Sequence, residues 1–133
     1  MSKCVAIIPA RGGSKRILNK NIRNFFGKPI ISYSIENAKN SNLFNRIIVS
    51  TDSLEIKKIA EAHGAEVPFI RPKHLSDDYA TTNSVIEHCL DWLKEQGDMY
   101  DYCCTIYATA PLLKTQYLIE GSLLNHILNF CNM

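Results

Sequence analysis

The chain has 133 residues, 46% apolar and 21% charged, with a formal net charge of +2. That is the size and composition of one globular domain with its own core, and the charge is too small to imply a nucleic-acid partner by itself. No apolar run is long enough to cross a bilayer and Met1-Ser2-Lys3-Cys4 enters a strand without a signal-peptide core, so a cytoplasmic protein without a membrane partner is expected. The cysteines at 4, 89, 103, 104 and 131 form no C-x-x-C pair, which predicts reduced thiols. Cys4, Cys89 and one of the adjacent pair are expected to pack as small hydrophobes, with Cys103 and Cys104 on opposite faces of a strand. The histidines at 63, 74, 88 and 126 have no paired-ligand spacing, so no zinc site is expected.

Cys4 to Pro9 is a short apolar run and predicts a buried first strand. It delivers the loop Ala10-Arg11-Gly12-Gly13-Ser14-Lys15-Arg16-Ile17-Leu18-Asn19-Lys20-Asn21. Two glycines let the backbone approach an anion closely, successive N–H groups form a nest, and Arg11, Lys15, Arg16 and Lys20 add charge-assisted donors. The spacing matches neither G-x-G-x-x-G nor the P-loop, so the loop is a polyphosphate cradle of another kind or a solvated basic loop. Pro29 to Ala38 predicts a helix with Pro29 at its first position and Ile31, Ser34, Ile35 and Ala38 on one face. Arg46 to Ser50 predicts a second buried strand. Asp52 or Ser53 then caps a helix to about His63, with Glu55 placed as in a capping box, Gly64 as the stop and His63 complementing the dipole.

Glu66 to Ile70 predicts a third, shorter strand stopped by Arg71-Pro72. After a polar loop, Thr81 or Thr82 caps a helix to about Gln96 with Val85, Ile86, Cys89, Leu90 and Leu93 on one face. Cys103 to Tyr107 predicts a fourth strand, and Thr115 onward reads as helical. This alternation predicts an α/β fold: a doubly wound, mostly parallel open sheet of Rossmann-like type, in a single domain over 1–133 without linkers or repeats. Ligands of such sheets bind beyond the strand carboxyl ends. The loops carrying Arg11 to Asn21, Thr51-Asp52, Arg71 to Thr82 and Ala108 to Pro111 are therefore expected to meet.

In these four loops the chain resembles the cytidylyltransferases that activate acidic sugars, a nucleotide-diphospho-sugar transferase fold. The resemblance is closest to the pseudaminate-activating branch and looser to the CMP-N-acetylneuraminate synthetases. It is carried by Ile8 to Ile17, Lys20-Asn21, Phe26-Gly27-Lys28-Pro29-Ile30-Ile31-Ser32-Tyr33-Ser34-Ile35, Ile48-Val49-Ser50-Thr51-Asp52, Arg71-Pro72, Leu75-Ser76-Asp77-Asp78 and Ile106-Tyr107-Ala108-Thr109-Ala110-Pro111, and runs from about Val5 to about Gly121.

The resemblance implies that a sugar's anomeric hydroxyl attacks the α-phosphate of CTP and pyrophosphate leaves. In such transfers positioning and charge stabilisation dominate. It implies catalytic roles for Arg11, Lys15 and Lys20, and nucleotide contacts from Ala10, Arg11, Gly12, Gly13, Ser14, Lys15, Lys20, Asn21 and Asp78. It implies sugar contacts from Arg16, Tyr107 and Thr109. Arg16, and a tyrosine at 107 where the neuraminate relatives have glutamine, favour pseudaminate over N-acetylneuraminate. Legionaminate, neuraminate and 3-deoxy-manno-octulosonate remain alternative acceptors. The implied partners are CTP, an acidic nine-carbon sugar and a second copy in a homodimer.

Some positions keep two readings. Asp77-Asp78 with Thr81-Thr82 suits Mg²⁺, the cofactor the family implies, or helix capping. Asp52 suits capping or a nucleotide role, and Tyr107 a sugar pocket or core packing. The chain also departs from the family: Leu18 replaces a usual proline, and Gly121 to Met133 contains no Asp, Glu, Lys or Arg. That tail reads as a shifted or prematurely ended frame, or as a short apolar helix. The family's metal-binding carboxylates are expected beyond residue 133, which predicts an incomplete domain that holds CTP and turns over poorly alone. A non-catalytic CTP-binding fragment or a partner-dependent subunit is the competing reading; a single-strand nucleic-acid module lacks the aromatic-basic pattern it needs.

Overall fold

The computed structural model describes residues 3–13, 20–109 and 130–132, the last as backbone. Its elements are β1 (Cys4–Pro9), β2 (Asn24–Phe25), β3 (Lys28–Pro29), α1 (Ile30–Ser41), β4 (Arg46–Ser50), α2 (Leu54–Ala62), α3 (Thr82–Glu95), β5 (Tyr102–Thr105) and β6 (Phe130–Asn132), with 3-10 turns at Lys20–Ile22 and Lys73–Leu75. Four strands form a sheet in the order β4-β1-β5-β6. The first three are parallel, with Ile7 opposite Ile48 on one side and Thr105 on the other. Because both sheet faces are covered, β1 is apolar without interruption rather than alternating.

The pleat divides β1 between two cores. Cys4, Ala6 and Ile8 pack with Ile31, Ile35 and Ala38 of α1, Ile56 and Ala60 of α2, Val49 and Cys104. Val5 and Ile7 pack on the other face with Ile48, Cys103 and the Ile86, Cys89 and Leu93 stripe of α3. The doubly wound arrangement is thus built from a period of two in the strands and 3.6 in the helices. Cys103 and Cys104 do face opposite ways, and both are buried as small hydrophobes rather than one of them. Complete burial of Ile7, Ile8, Ile31, Ile35 and Ile48 contributes about 1.5–3 kcal/mol per side chain.

Three sequence expectations change. Pro29 is the residue before α1, not its first turn, and has extended backbone (φ −56°, ψ 135°) because it still pairs with Asn24 in a short hairpin. Phe26 and Gly27 turn that hairpin with φ of 48° and 86°, the left-handed region that two-residue turns require. The expected strand over Glu66–Ile70 reduces to a single bridge between Glu66 and Ile48. Glu66 exchanges bonds with Ile47 and Val49, both at 2.9 Å. The next bond of a parallel ladder would need an N–H at residue 68, which is proline. Finally, Phe130–Asn132 is an antiparallel strand on β5 rather than part of an apolar helix. The helix expected from Thr115 lies outside the described residues.

Candidate active site

The described parts of the four loops meet at the carboxyl ends of the parallel strands. Leaving β1, the Ala10 N–H still donates to the Ser50 carbonyl at 2.9 Å. The Gly12 N–H donates to Asp52 Oδ1 at 2.8 Å. A Cβ on Gly12 would lie 3.0 Å from Ser53 Cβ, so this approach of two loops depends on glycine. Ser53 is held in place because its hydroxyl caps α2, accepting from Ile56 N at 3.2 Å. Of the two residues expected to cap α2, Ser53 does so and Asp52 latches the first loop.

Asn21, 6% exposed, closes the same loop from its other end, donating from Nδ2 to the Arg11 carbonyl at 2.9 Å. Arg11 reaches across to the third loop, its guanidinium 2.8 Å from Asp78. Asp77 makes that loop's turn: its Oδ1 accepts from the Tyr79 and Ala80 N–H groups, both at 2.9 Å. Thr81 caps α3, accepting from Ser84 N at 3.1 Å. The aspartate pair therefore divides into a turn-maker and an arginine partner, and of the residues given the capping reading it is Thr81 whose side chain caps α3. Among the described residues no group of three or more His, Cys, Asp or Glu side chains is placed to hold a metal ion, so no ligand set for Mg²⁺ can be named from them.

Arg71 is absent from the expected site residues, yet it organises the centre. It is 5% exposed. Its Nε donates to Ser50 Oγ at 3.2 Å, one terminal nitrogen to the Ser50 carbonyl at 2.7 Å and the other to the Leu75 carbonyl at 2.9 Å. All three acceptors are neutral, so the cation is positioned by hydrogen bonds without direct neutralisation. Burial, and to a lesser extent Arg11, pulls its pKa down, opposed by Asp52; arginine's high reference value keeps it charged. No local sequence pattern marks an arginine whose partners are the carbonyls of two other segments.

These residues enclose a cavity of about 210 Å³, lined by Arg11, Lys20, Asn21, Arg71, Ala80 to Thr82 and Tyr107 to Thr109. Ala10 is buried at 1% exposure in the core beneath it. Asp78 meets it through Arg11. Gly12 and Gly13 are not among its lining residues, and Ser14, Lys15 and Arg16 lie outside the described residues. Tyr107 is 53% exposed, so it is not core packing; its carbonyl accepts from the buried Ser34 hydroxyl of α1 at 2.9 Å. The cavity combines cations, amides and hydroxyls with an apolar rim, a donor set suited to a phosphorylated small molecule.

A family model described as cytidylyltransferase matches residues 5–125. Pseudaminic acid cytidylyltransferase of Campylobacter jejuni is 53% identical over 119 residues, covering 90% of this chain and 51% of that protein. N-acylneuraminate cytidylyltransferase of Escherichia coli is 37% identical, covering 90% of this chain and 27% of that protein. The chain thus spans about half, or less, of the length of these relatives. The solved structure of CMP:2-keto-3-deoxy-manno-octonic acid synthetase with CTP matches with a TM-score of 0.75 at 22% identity, over 93% of this chain and 47% of that one, which supports the fold. A sheet with its cationic cavity at the expected edge, and a family match over nearly its whole length, place this chain in the cytidylyltransferase family.

Proposed function

We propose that this chain supplies the nucleotide site of a transferase that joins CMP from CTP to the anomeric hydroxyl of an acidic nine-carbon sugar, pseudaminate, with release of pyrophosphate. The carrying observation is the cavity that collects Arg11, Lys20 and Arg71 at the strand carboxyl ends. In the reaction the bond between the α-phosphorus and its bridging oxygen breaks, the sugar oxygen takes its place and the hydroxyl proton is lost. Negative charge grows on the departing pyrophosphate, and fixed cations stabilise it at little reorganisation cost. Arg11, oriented by Asp78, and Lys20, at the loop's end, take that role, joined by Lys15. Ser14 and Gly13 add donors to the phosphates. Arg71 and Thr81-Thr82 hold the remainder of the nucleotide.

The 53% identity with the Campylobacter enzyme supports pseudaminate as the acceptor. A divalent metal, Mg²⁺, belongs to this chemistry and offsets phosphate charge when bound. A homodimer and a cytoplasmic setting, where CTP is available, complete the reading on family resemblance. The test is calorimetric titration of the chain with CTP, UTP and ATP, followed by a pyrophosphate assay with a panel of acid sugars. CTP is expected to bind at least tenfold more tightly than the other two. Equal affinity for all three, or no CTP binding, overturns the proposal. CTP binding without pyrophosphate release from any sugar would reduce the chain to a binding module.

A further inference from the structure

Ser34 stands inside α1 and is fully buried. A serine in a helix that does not face water usually turns its hydroxyl back to a nearby carbonyl of its own chain segment. Ser41 does so, donating to the Ala38 carbonyl at 2.7 Å. Ser32 likewise reaches only the Pro29 carbonyl, at 2.6 Å. Ser34 instead leaves its helix and donates to the Tyr107 carbonyl, 73 residues away, at 2.9 Å.

That bond falls where β5 parts from β1. The Ile106 N–H still donates to the Ile7 carbonyl at 3.0 Å. The next rung of a parallel ladder would run from the Pro9 nitrogen to the Ile106 carbonyl and from the Ala108 N–H to the Pro9 carbonyl. The first cannot form, because proline has no proton to give, and the second does not form. The two strands open at this point, and Pro9 and Ala108 both line the cavity. The peptide between Tyr107 and Ala108 is trans, so its carbonyl and its N–H point in opposite directions. With the carbonyl held toward α1, the N–H faces away from that helix. The Ala108 side chain is packed in the core on the α1 side, so it is backbone that this residue presents to the cavity. Ala108 is 2% exposed, and among the described residues its N–H has no hydrogen-bond partner. A buried N–H left unmatched is rare in a folded chain.

We propose that Ser34 is a positioning residue of the nucleotide site: by holding the Tyr107 carbonyl, it aims the Ala108 N–H at an oxygen of the bound nucleotide. The proposal rests on the nucleotide reading above. It adds a neutral backbone donor to the cations Arg11, Lys20 and Arg71, set in place before the ligand arrives and so at little reorganisation cost. It also gives α1 a second task. The helix covers the sheet, and through one hydroxyl it fixes which way a peptide at the sheet's edge faces.

The experiment titrates the full chain with CTP, followed by amide NMR and calorimetry. The Ala108 amide is expected to shift as CTP saturates the chain. Ser34→Ala is expected to weaken CTP binding about tenfold, with Ser34→Thr, which keeps the hydroxyl, recovering part of it. Ser41→Ala is the control, because it removes a buried hydroxyl from the far end of the same helix. It is expected to lower Tm about as much as Ser34→Ala does and to leave CTP affinity unchanged. CTP affinity indifferent to Ser34→Ala overturns the proposal. An equal loss of affinity in Ser34→Ala and Ser41→Ala also overturns it, since Ser34 would then act only through the packing of α1. An Ala108 amide unmoved by saturating CTP overturns the donor role, and this arm on the unaltered chain decides the matter if a variant fails to fold. Each of these outcomes leaves the nucleotide reading standing, because the unaltered chain still binds CTP.

Discussion

The two ends of the parallel sheet use the same strands for opposite purposes. At the amino end, Arg46 donates to Glu66 through Nε and a terminal nitrogen at 3.0 and 2.9 Å, and to Asp98 at 3.0 Å. Asp98 also takes Lys3 Nζ at 2.8 Å and the Tyr100 hydroxyl at 2.7 Å. Each cation there meets a carboxylate. At the carboxyl end, Arg71 meets only neutral oxygens and Lys20 has no ion-pair partner among the described residues. The first pole resolves its charges internally and holds strand ends together. The second keeps positive charge in fixed positions, as an anion site requires.

Substitutions at the two poles should separate stability from ligand affinity. The largest effect is expected from Arg71→Ala, where the poles' roles coincide. Removing the guanidinium leaves the Ser50 and Leu75 carbonyls without that donor, so a loss of about 3 kcal/mol in denaturant unfolding and loss of measurable CTP binding are expected. Next, Lys20→Ala should weaken CTP binding by about 1.5–3 kcal/mol while stability stays within about 0.5 kcal/mol. An equal fall in stability would mean that Lys20 is a structural residue and would blur the contrast.

Asp98→Asn should do the reverse, lowering Tm by roughly 5 °C with CTP affinity unchanged. The smallest effect is on pH dependence. Hydrogen bonds from Lys3 and then Tyr100 hold the Asp98 carboxyl at about 2, against an ordinary 3.8. A depressed carboxylate contributes its full stabilisation above the unfolded value and loses it as pH falls toward the folded one. Stability should therefore decline between about pH 4 and pH 2, and the Asp98→Asn protein should show a shallower decline over that window. Identical pH curves would remove Asp98 from the account of the amino pole.

Local patterns made much of this legible before the coordinates. β1 and β4 keep the bounds read from their apolar runs, and the stripes given by a 3.6 period are buried in α1 and α3 except that Leu90 is half-buried, with Ser32 and Ser41 buried in α1 besides. The convergence of loops followed from strand parallelism alone. What was not legible depended on contacts between distant segments. Arg71 resembles a turn residue before Pro72 until the Ser50 carbonyl is placed beside it. Asp52 satisfies every local rule for a cap, and only the packed loop shows that its carboxylate goes to Gly12. The hairpin had a local signal, a glycine between Phe26 and Lys28, but its strands of two residues each are too short for periodicity to register.

Pro68 has a consequence beyond its own segment. The stretch beside β4 is tied at Glu66 and again where the Arg71 N–H donates to the Thr51 carbonyl at 2.8 Å. Between those points the ring nitrogen has no proton to give. Because the Glu66 N–H and carbonyl both face β4, the residue-68 nitrogen faces β4 as well, and its missing proton stops the ladder after a single rung. One proline thus separates two anchors of the same segment, a sheet-like one at Glu66 and a loop-like one at Arg71 beside the ligand-facing end.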